Sequence, residues 1–267
     1  MKNLLFILKE HKTNFYKIYK LALYDFITPL RDTYLGILWI VLNPLSQIGV
    51  YWFVFGLGIR NGRAVDGHPF LLWMLAGLVP WFYISNSISS GTLSIYSKSS
   101  ILTKMKFPTS IIPTYTIGTQ LLNNIPVIFI MIIIYVVNGY KATIYYIQIP
   151  YYIISASLLL IGISLITSAL VMAVRDINRI VGTVLRFMFY LTPILWTTIN
   201  LPPIALKIIR LNPFIYIIEG FRNTFLYNKW FFEDISFTIY YWAVTIIILL
   251  IGALVHMKLR NRFSDLI

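Results

Sequence analysis

The sequence predicts an all-α integral membrane protein. It has six transmembrane helices, an N-terminal amphipathic interface helix and an outer re-entrant helical hairpin between spans 5 and 6. Three observations carry that reading. Only 12% of the 267 residues are charged and 58% are hydrophobic, with mean hydropathy +0.77; soluble domains carry about 25% charged residues. The apolar runs approach or exceed the ~20 residues that cross ~30 Å of hydrocarbon. Lysine and arginine outnumber the acids 22 to 9, and the excess is unevenly placed. Isolated apolar runs of this length satisfy their backbone in lipid only as helices, because a barrel would read as short alternating strands.

One transmembrane domain accounts for residues 1–267. Leu4 to Leu8 is too short an apolar core for a cleavable signal peptide, and no small-residue cleavage site follows it. The first 33 residues form the interface element. From Asn14 to Phe26, Phe15, Ile18, Tyr19, Ala22 and Phe26 recur at helical spacing, with Lys17 and Lys20 between them. An apolar face therefore opposes a basic one, as in a helix lying among anionic headgroups. Thr28-Pro29 is expected to break it.

The six spans are expected over Tyr34–Ile59, Phe70–Ile95, Thr109–Val137, Ile149–Val174, Ile180–Thr198 and Ile235–Met257. Pro44 and Pro126 fall inside spans and are expected to kink them. With the N-terminus inside, fifteen of the 22 basic residues lie in the cytosolic segments, so both termini are expected in the cytosol. The glycines at 56, 77, 91, 118, 162, 182 and 252 read as places where helices approach closely.

Between the second and third spans, Ser97 to Pro108 reads SKSSILTKMKFP. A simple turn needs only a few polar residues, whereas this break spends about a dozen. Ile101, Leu102 and Met105 share one helical face, while Lys98, Lys104 and Lys106 fall mostly off it and Phe107 closes the segment. Two readings fit: a docking helix for another protein, or an anchor on lipid headgroups.

Asn200 to Trp230 is too apolar for a solvated loop, yet Pro202-Pro203 and Asn212-Pro213 cut it into pieces too short to cross. Two short helices dipping in from outside and returning fit this pattern; a seventh and eighth span would need more apolar length. Phe214 opens the second piece. Glu219 and Arg222, three residues apart, are expected to pair and lower the cost of burying either.

Catalytic signatures are missing from the sequence. There is no GxxxxGK[ST] phosphate loop, so ATP hydrolysis is not expected in this chain. His11, His68 and His256 lack ligand spacing, cysteine is absent and paired carboxylates are lacking, so no metal site or catalytic residue is assigned. No basic run stands apart from the apolar spans, which argues against nucleic acid as a partner. The spans hold almost no acid, which disfavours an ion-driven secondary carrier or flippase working alone; the lack of paired acids disfavours a membrane-bound lipid transferase.

The run AVRDINRIVGTVLRFMFYLTPILW at Ala173–Trp196, with LNPFIYIIEGFRNTFL at Leu211–Leu226, resembles the permease subunit of type-2 ABC exporters. LALYDFITPLRDTYLGILWIVLNPL at Leu21–Leu45 is similar to the polysaccharide branch of that family. The short chain, rich in Ile, Tyr and Asn, most resembles the teichoic-acid exporter permease, with the O-antigen exporter permease next. The resemblance implies a homodimer in the bacterial cytoplasmic membrane, two separate ATPase subunits that carry the ATP and Mg, and a polyprenyl-diphosphate-linked polymer as substrate. It also implies that Ser97–Pro108 is a coupling helix and that the 199–230 hairpin is an outer gate.

A polar polymer crossing oil needs wet or aromatic walls, because each unpaired polar group costs several kcal/mol. Trp39, Tyr51, Phe55, Trp73, Trp81, Tyr83, Phe187 and Tyr190 are candidates to line such a path. Interfacial anchoring is the competing reading for Trp73, and ordinary packing for Phe55 and Phe187. Arg31, Arg175, Arg179 and Arg186 have forks that match diphosphate oxygens; alternatively they anchor the cytosolic face, with Asp176 pairing Arg175 or Arg179. Asn43, Gln47, Asn123 and Asn124 make either interhelical hydrogen bonds or substrate contacts.

Overall fold

The computed structural model describes residues 2–31, 34–99, 107–198 and 201–260. Residues 100–106 lie outside that set, and with them the expected coupling positions Ile101, Leu102, Lys104, Met105 and Lys106. The described residues form an all-helical bundle: α1 (Lys2–Thr13), α2 (Phe15–Arg31), α3 (Leu38–Tyr51, continued as a π-helix over Trp52–Ile59), α4 (Phe70–Ser97), α5 (Ile111–Val137), α6 (Gln148–Ala173, after a 3-10 turn at Ile144–Ile147), α7 (Ile177–Leu191), α8 (Pro203–Arg210), α9 (Pro213–Arg222, continued as a π turn over Asn223–Tyr227) and α10 (Ile235–Arg260).

Five of these are long and apolar enough to cross a membrane: Leu38–Ile59, Phe70–Ser97, Ile111–Val137, Ile144–Ala173 and Ile235–Arg260. The fifth expected span is not among them. Helix α7 has 15 residues, about 22 Å of rise. It stops because Pro193 follows Thr192, and a residue before proline is pushed out of the α region; Thr192 is extended, with ψ 134°. The path nonetheless runs further. Arg175 lies over the Tyr96 ring, whereas the Ile194 carbonyl lies 3.3 Å from where a Cβ on Gly77 would sit. That separation along α4 is about 28 Å.

Helix α4 is the hub. It packs on α5, α6, α7 and α9, and most of its side chains are buried. Between helices in lipid there is no hydrophobic drive, so contact rests on close approach and hydrogen bonds. Gly91 meets α6 so closely that an added Cβ would fall 2.1 Å from Ser164 Oγ, and the Thr92 hydroxyl donates to Thr167 at 2.9 Å. On α6 and α10, a Cβ on Gly252 would stand 2.6 Å from the Gly162 carbonyl oxygen. The glycine reading holds at these contacts and fails at Gly182, whose Cβ position meets nothing within 4 Å.

Both described termini sit at one end. Arg260 of α10 pairs with Glu10 of α1 at 3.0 Å, Ser110 donates to the same carboxylate, and Lys98 pairs with Asp25 of α2 at 3.1 Å. The expected break at Thr28-Pro29 is absent: α2 continues to Arg31. Proline this close to a helix end removes only one late hydrogen bond, and Thr28 Oγ1 donates to the Tyr24 carbonyl in the same turn. Helix α2 lies along α5, with the Thr119 hydroxyl donating to the Ala22 carbonyl at 3.2 Å. Pro44 and Pro126 sit inside continuous helices, and the departure from α geometry in α3 falls at Trp52–Ile59 instead.

At the opposite end, the turns around residues 60–68, 138–148 and 227–235 meet. His68 Nδ1 lies 2.7 Å from the Tyr140 hydroxyl, and the Tyr227 hydroxyl donates to Asp66 at 2.8 Å. Burial and the Asp66 carboxylate push the Tyr227 hydroxyl up to about 12, which keeps it protonated as that donor.

Candidate functional site

A cavity of about 800 Å³ lies between α3, α4, α5 and α7. Its wall is built by helical register. On α7, positions 182, 185, 186, 189 and 190 face inward at i, i+3, i+4, i+7 and i+8 spacing. On α4, Trp81, Phe82 and Tyr83 lead into Ser85, Asn86 and Ser89. On α5 the wall is Gln120, Asn123 and Asn124, and on α3 it is Trp39, Asn43, Gln47 and Tyr51.

Five of the eight expected aromatics line this cavity: Trp39, Tyr51, Trp81, Tyr83 and Tyr190. The other three are elsewhere. Phe187 falls off the inward face of α7 and is 61% exposed. Phe55 sits in the π segment and packs on the core beside Tyr51. Trp73 lies under Arg222 in a second cavity. Three of the rings that do line the wall meet through Phe189: Tyr51 to Phe189 at 5.4 Å, Trp81 to Phe189 at 5.9 Å, and Phe189 to Tyr190 at 5.1 Å.

The polar lining is made almost wholly of amides and hydroxyls. Gln120 donates to the Ser90 hydroxyl at 3.1 Å. Among the described residues, Asn43, Gln47, Asn123 and Asn124 make no side-chain hydrogen bond to a neighbouring helix, so the interhelical reading of these amides is not what the structure shows. Asn86, Gln120 and Gly182 were not singled out as lining residues. The signal was there: Ser85, Asn86, Ser89 and Ser90 form a polar stripe inside an apolar run.

Among the described residues Arg186 is the one charged side chain in this lining; its guanidinium donates to Thr183 at 3.1 Å. The other expected arginines are not gathered with it. Arg31 ends α2 and is exposed. Arg175 stacks on Tyr96, and Arg179 pairs with Asp176 at 3.5 Å on an exposed surface, where such a pair contributes little. Of the expected coupling residues that are described, Ser97 ends α4 and Phe107 packs on a small core with Ala22 and Tyr115.

The 202–222 region folds as two short helices, each opened by proline: Pro203 follows Pro202 at the start of α8, and Pro213 follows Asn212 at the start of α9. Asn212 caps α9 by accepting from the Phe214 backbone N–H at 3.0 Å and donates its amide to Thr192 at 2.9 Å. Phe214 meets Trp81 edge-on at 6.2 Å, while Arg222 lies 3.5 Å over Trp73. Counted along α4, α9 runs from about 16 Å below the loop end back to about 5 Å. The expected Glu219–Arg222 pair is not formed. Glu219 pairs with Arg210 at 3.8 Å, and Arg210 also reaches Asp234 at 3.4 Å. Arg222 instead donates to the Ile194 carbonyl at 3.0 Å.

Comparison with known proteins agrees with this architecture. The family model described as ABC-2 type transporter matches residues 16–226. Two O-antigen export system permease proteins RfbA of Klebsiella pneumoniae are each 30% identical, over 240 and 241 residues, covering 89% of this chain and 89% of each relative. The permease of the same name from Myxococcus xanthus is 26% identical over 237 residues, 88% of this chain and 89% of its own.

Proposed function

We propose, from the premise that the chain belongs to the ABC-2 type transporter family, that it is the membrane subunit of an ATP-driven exporter of a lipid-linked polysaccharide. The observation that carries the reading is the cavity wall itself. Aromatic faces suit the apolar CH surfaces of sugars, and unpartnered amides supply both donors and acceptors for hydroxyls. Among the described lining residues a single cation, Arg186, offers donors to a diphosphate head group. The relatives are named for O-antigen export, so a glycan of that kind takes first place. Wall teichoic acid stands second: its repeating phosphates would meet only Arg186 in this lining.

Helix α3 supports a second copy of the chain. It is the least buried of the five long helices, with 11% of its window inside the fold, and Trp39 and Tyr190 are 43% and 67% exposed at the cavity edge. One chain thus builds half a conduit, and a homodimer closes it. Six crossings with both termini in the cytosol follow if α7 and residues 192–194 complete the fifth one, a path of about 28 Å along α4; α8 and α9 then form a re-entrant hairpin from the outside. The energy comes from ATPase subunits docked under the end of α4, with ATP and Mg held there, and residues 97–108 transmit the motion.

Proteoliposomes holding the permease and its ATPase test this reading. ATP-dependent passage of lipid-linked glycan is expected and should stop with Met105→Asp plus Phe107→Asp, which also releases the ATPase. Equal passage without the ATPase contradicts it.

A further inference from the structure

A second cavity of about 560 Å³ lies on the far side of the Trp81–Phe214 contact, between the α8–α9 hairpin and the turns at the loop end. Its volume is within the ~300–1,000 Å³ of small-molecule sites. Nothing in the pathway accounts for its lining, which is opposite in character to the first cavity: Asp66, Glu219, Glu233 and Asp234 face Arg210, Arg222 and Lys229.

Arg222 is the unusual group. It is 5% exposed, one terminal nitrogen is held by the Ile194 carbonyl, and its Nε–H has no partner in the protein. Its flat face rests 3.5 Å over Trp73. Nε is sealed from the cavity, so Arg222 offers a ligand only the edge of its guanidinium that the Ile194 carbonyl does not take. One turn earlier on the same helix, Glu219 offers acceptors and pairs with Arg210 at 3.8 Å.

The mixture of signs selects the ligand class. A phosphate wants donors alone, and four carboxylates would repel it. A metal ion wants acceptors alone, and three cations would oppose it. A sugar hydroxyl both donates and accepts, so a polyol can use carboxylates and guanidinium groups together. Aromatic rings complete the set, because Trp73, Trp230 and Phe237 offer faces for the CH side of a pyranose.

We infer that this outer cavity is a carbohydrate-binding site for an uncharged hexose unit, which holds a segment of glycan after it passes the Trp81–Phe214 contact. The inference rests on the exporter reading above and adds a receiving site to it.

The test uses the full chain in lipid nanodiscs with maltotriose as the probe, followed by saturation-transfer NMR titration; inorganic phosphate and calcium chloride serve as competitors. Maltotriose is expected to bind, and neither competitor to displace it. Trp230→Ala, at the cavity edge, and Glu219→Gln, which leaves Arg210 its Asp234 partner, should each weaken the binding component at this site about five-fold. Circular dichroism and thermal melting of each variant check that it is folded. Displacement by phosphate or calcium overturns the inference. So does maltotriose binding that survives both outer variants and is lost only in Asn123→Ala or Tyr190→Ala, an outcome that leaves the exporter reading standing. Absence of maltotriose binding in the wild-type chain also overturns the outer site, whereas the exporter reading is decided separately by ATP-driven passage.

Discussion

The two faces of α4 solve opposite problems with neighbouring residues. Toward α6 it presents Ser87, Gly91, Thr92 and Ser94, all buried, with Gly91 pressed against Ser164. Toward α3 and α7 it presents Ser85, Asn86 and Ser89, which open onto the large cavity. Both faces are polar and small by the standards of a membrane helix. One becomes a sealed seam because a glycine lets backbones meet. The other stays open because amides and aromatics stand around a space they do not fill. Polarity in a span therefore does not by itself mark a pathway; what matters is whether the helices close over the polar groups, as they do over the unpaired Ser87 and Ser164 hydroxyls, or leave a space beside them.

The largest effect is expected where a seam of the same kind, between α6 and α10, is forced apart. Gly252→Val places a Cβ against the Gly162 backbone, which cannot swing aside as a side chain would. Overpacking of this kind costs about 1–3 kcal/mol, so folded yield by size-exclusion chromatography should collapse. Substitution on the open face should behave differently. Asn86→Ala and Asn123→Ala leave yield and melting temperature unchanged and slow glycan export about five-fold each, the equivalent of one lost hydrogen bond. If they unfold the chain instead, the distinction between the two faces fails.

Smaller effects sharpen the contrast at the end of α4. Lys98→Met removes the partly buried ion pair with Asp25 and should cost about 1 kcal/mol or less in thermal unfolding. The smallest effect concerns His11, outside the spans. Its Nδ1–H donates to the Ile7 carbonyl at 2.7 Å, so Nε2 of the neutral ring accepts from Thr114 at 2.6 Å. Burial holds this imidazole below its ordinary value of 6.5, with the Ile7 bond and the Glu10 charge acting against the shift. Unfolded chains then bind more protons, so stability is full above about pH 6.5 and declines as pH falls toward the lowered value. Melting temperature should drop over that interval in the wild type and less in His11→Gln.

Much of this was legible from the residues. Apolar length marks five long helices, and Pro202-Pro203 with Asn212-Pro213 marks the two short helices at 203–222. The apolar run of the fifth span continues to Thr198, whereas the helix ends at Leu191 before Pro193, a local steric effect that hydropathy does not register. Glu219 and Arg222 were read as partners from their spacing alone, but Arg210 arrives from the preceding helix and competes for the carboxylate. Five of the eight aromatics line the wall, Trp39 and Tyr51 from α3, Trp81 and Tyr83 from α4 and Tyr190 from α7. Phe187 and Phe55 escaped because position along a helix says little about which way a ring points. The amides of α4 and α5 were the harder case, since a buried partner and an open cavity look alike until the neighbouring helix is placed.

The central claim is that glycan passes through the space between α3, α4, α5 and α7. The chain has no cysteine, so Gly182→Cys, at a position with open space around it, can be labelled uniquely with a bulky maleimide. Lys141→Cys in the exposed loop serves as the control. Labelling at 182 is predicted to abolish ATP-driven export in proteoliposomes while the ATPase stays bound, and labelling at 141 to leave export intact. Undiminished export with position 182 fully labelled would contradict the account.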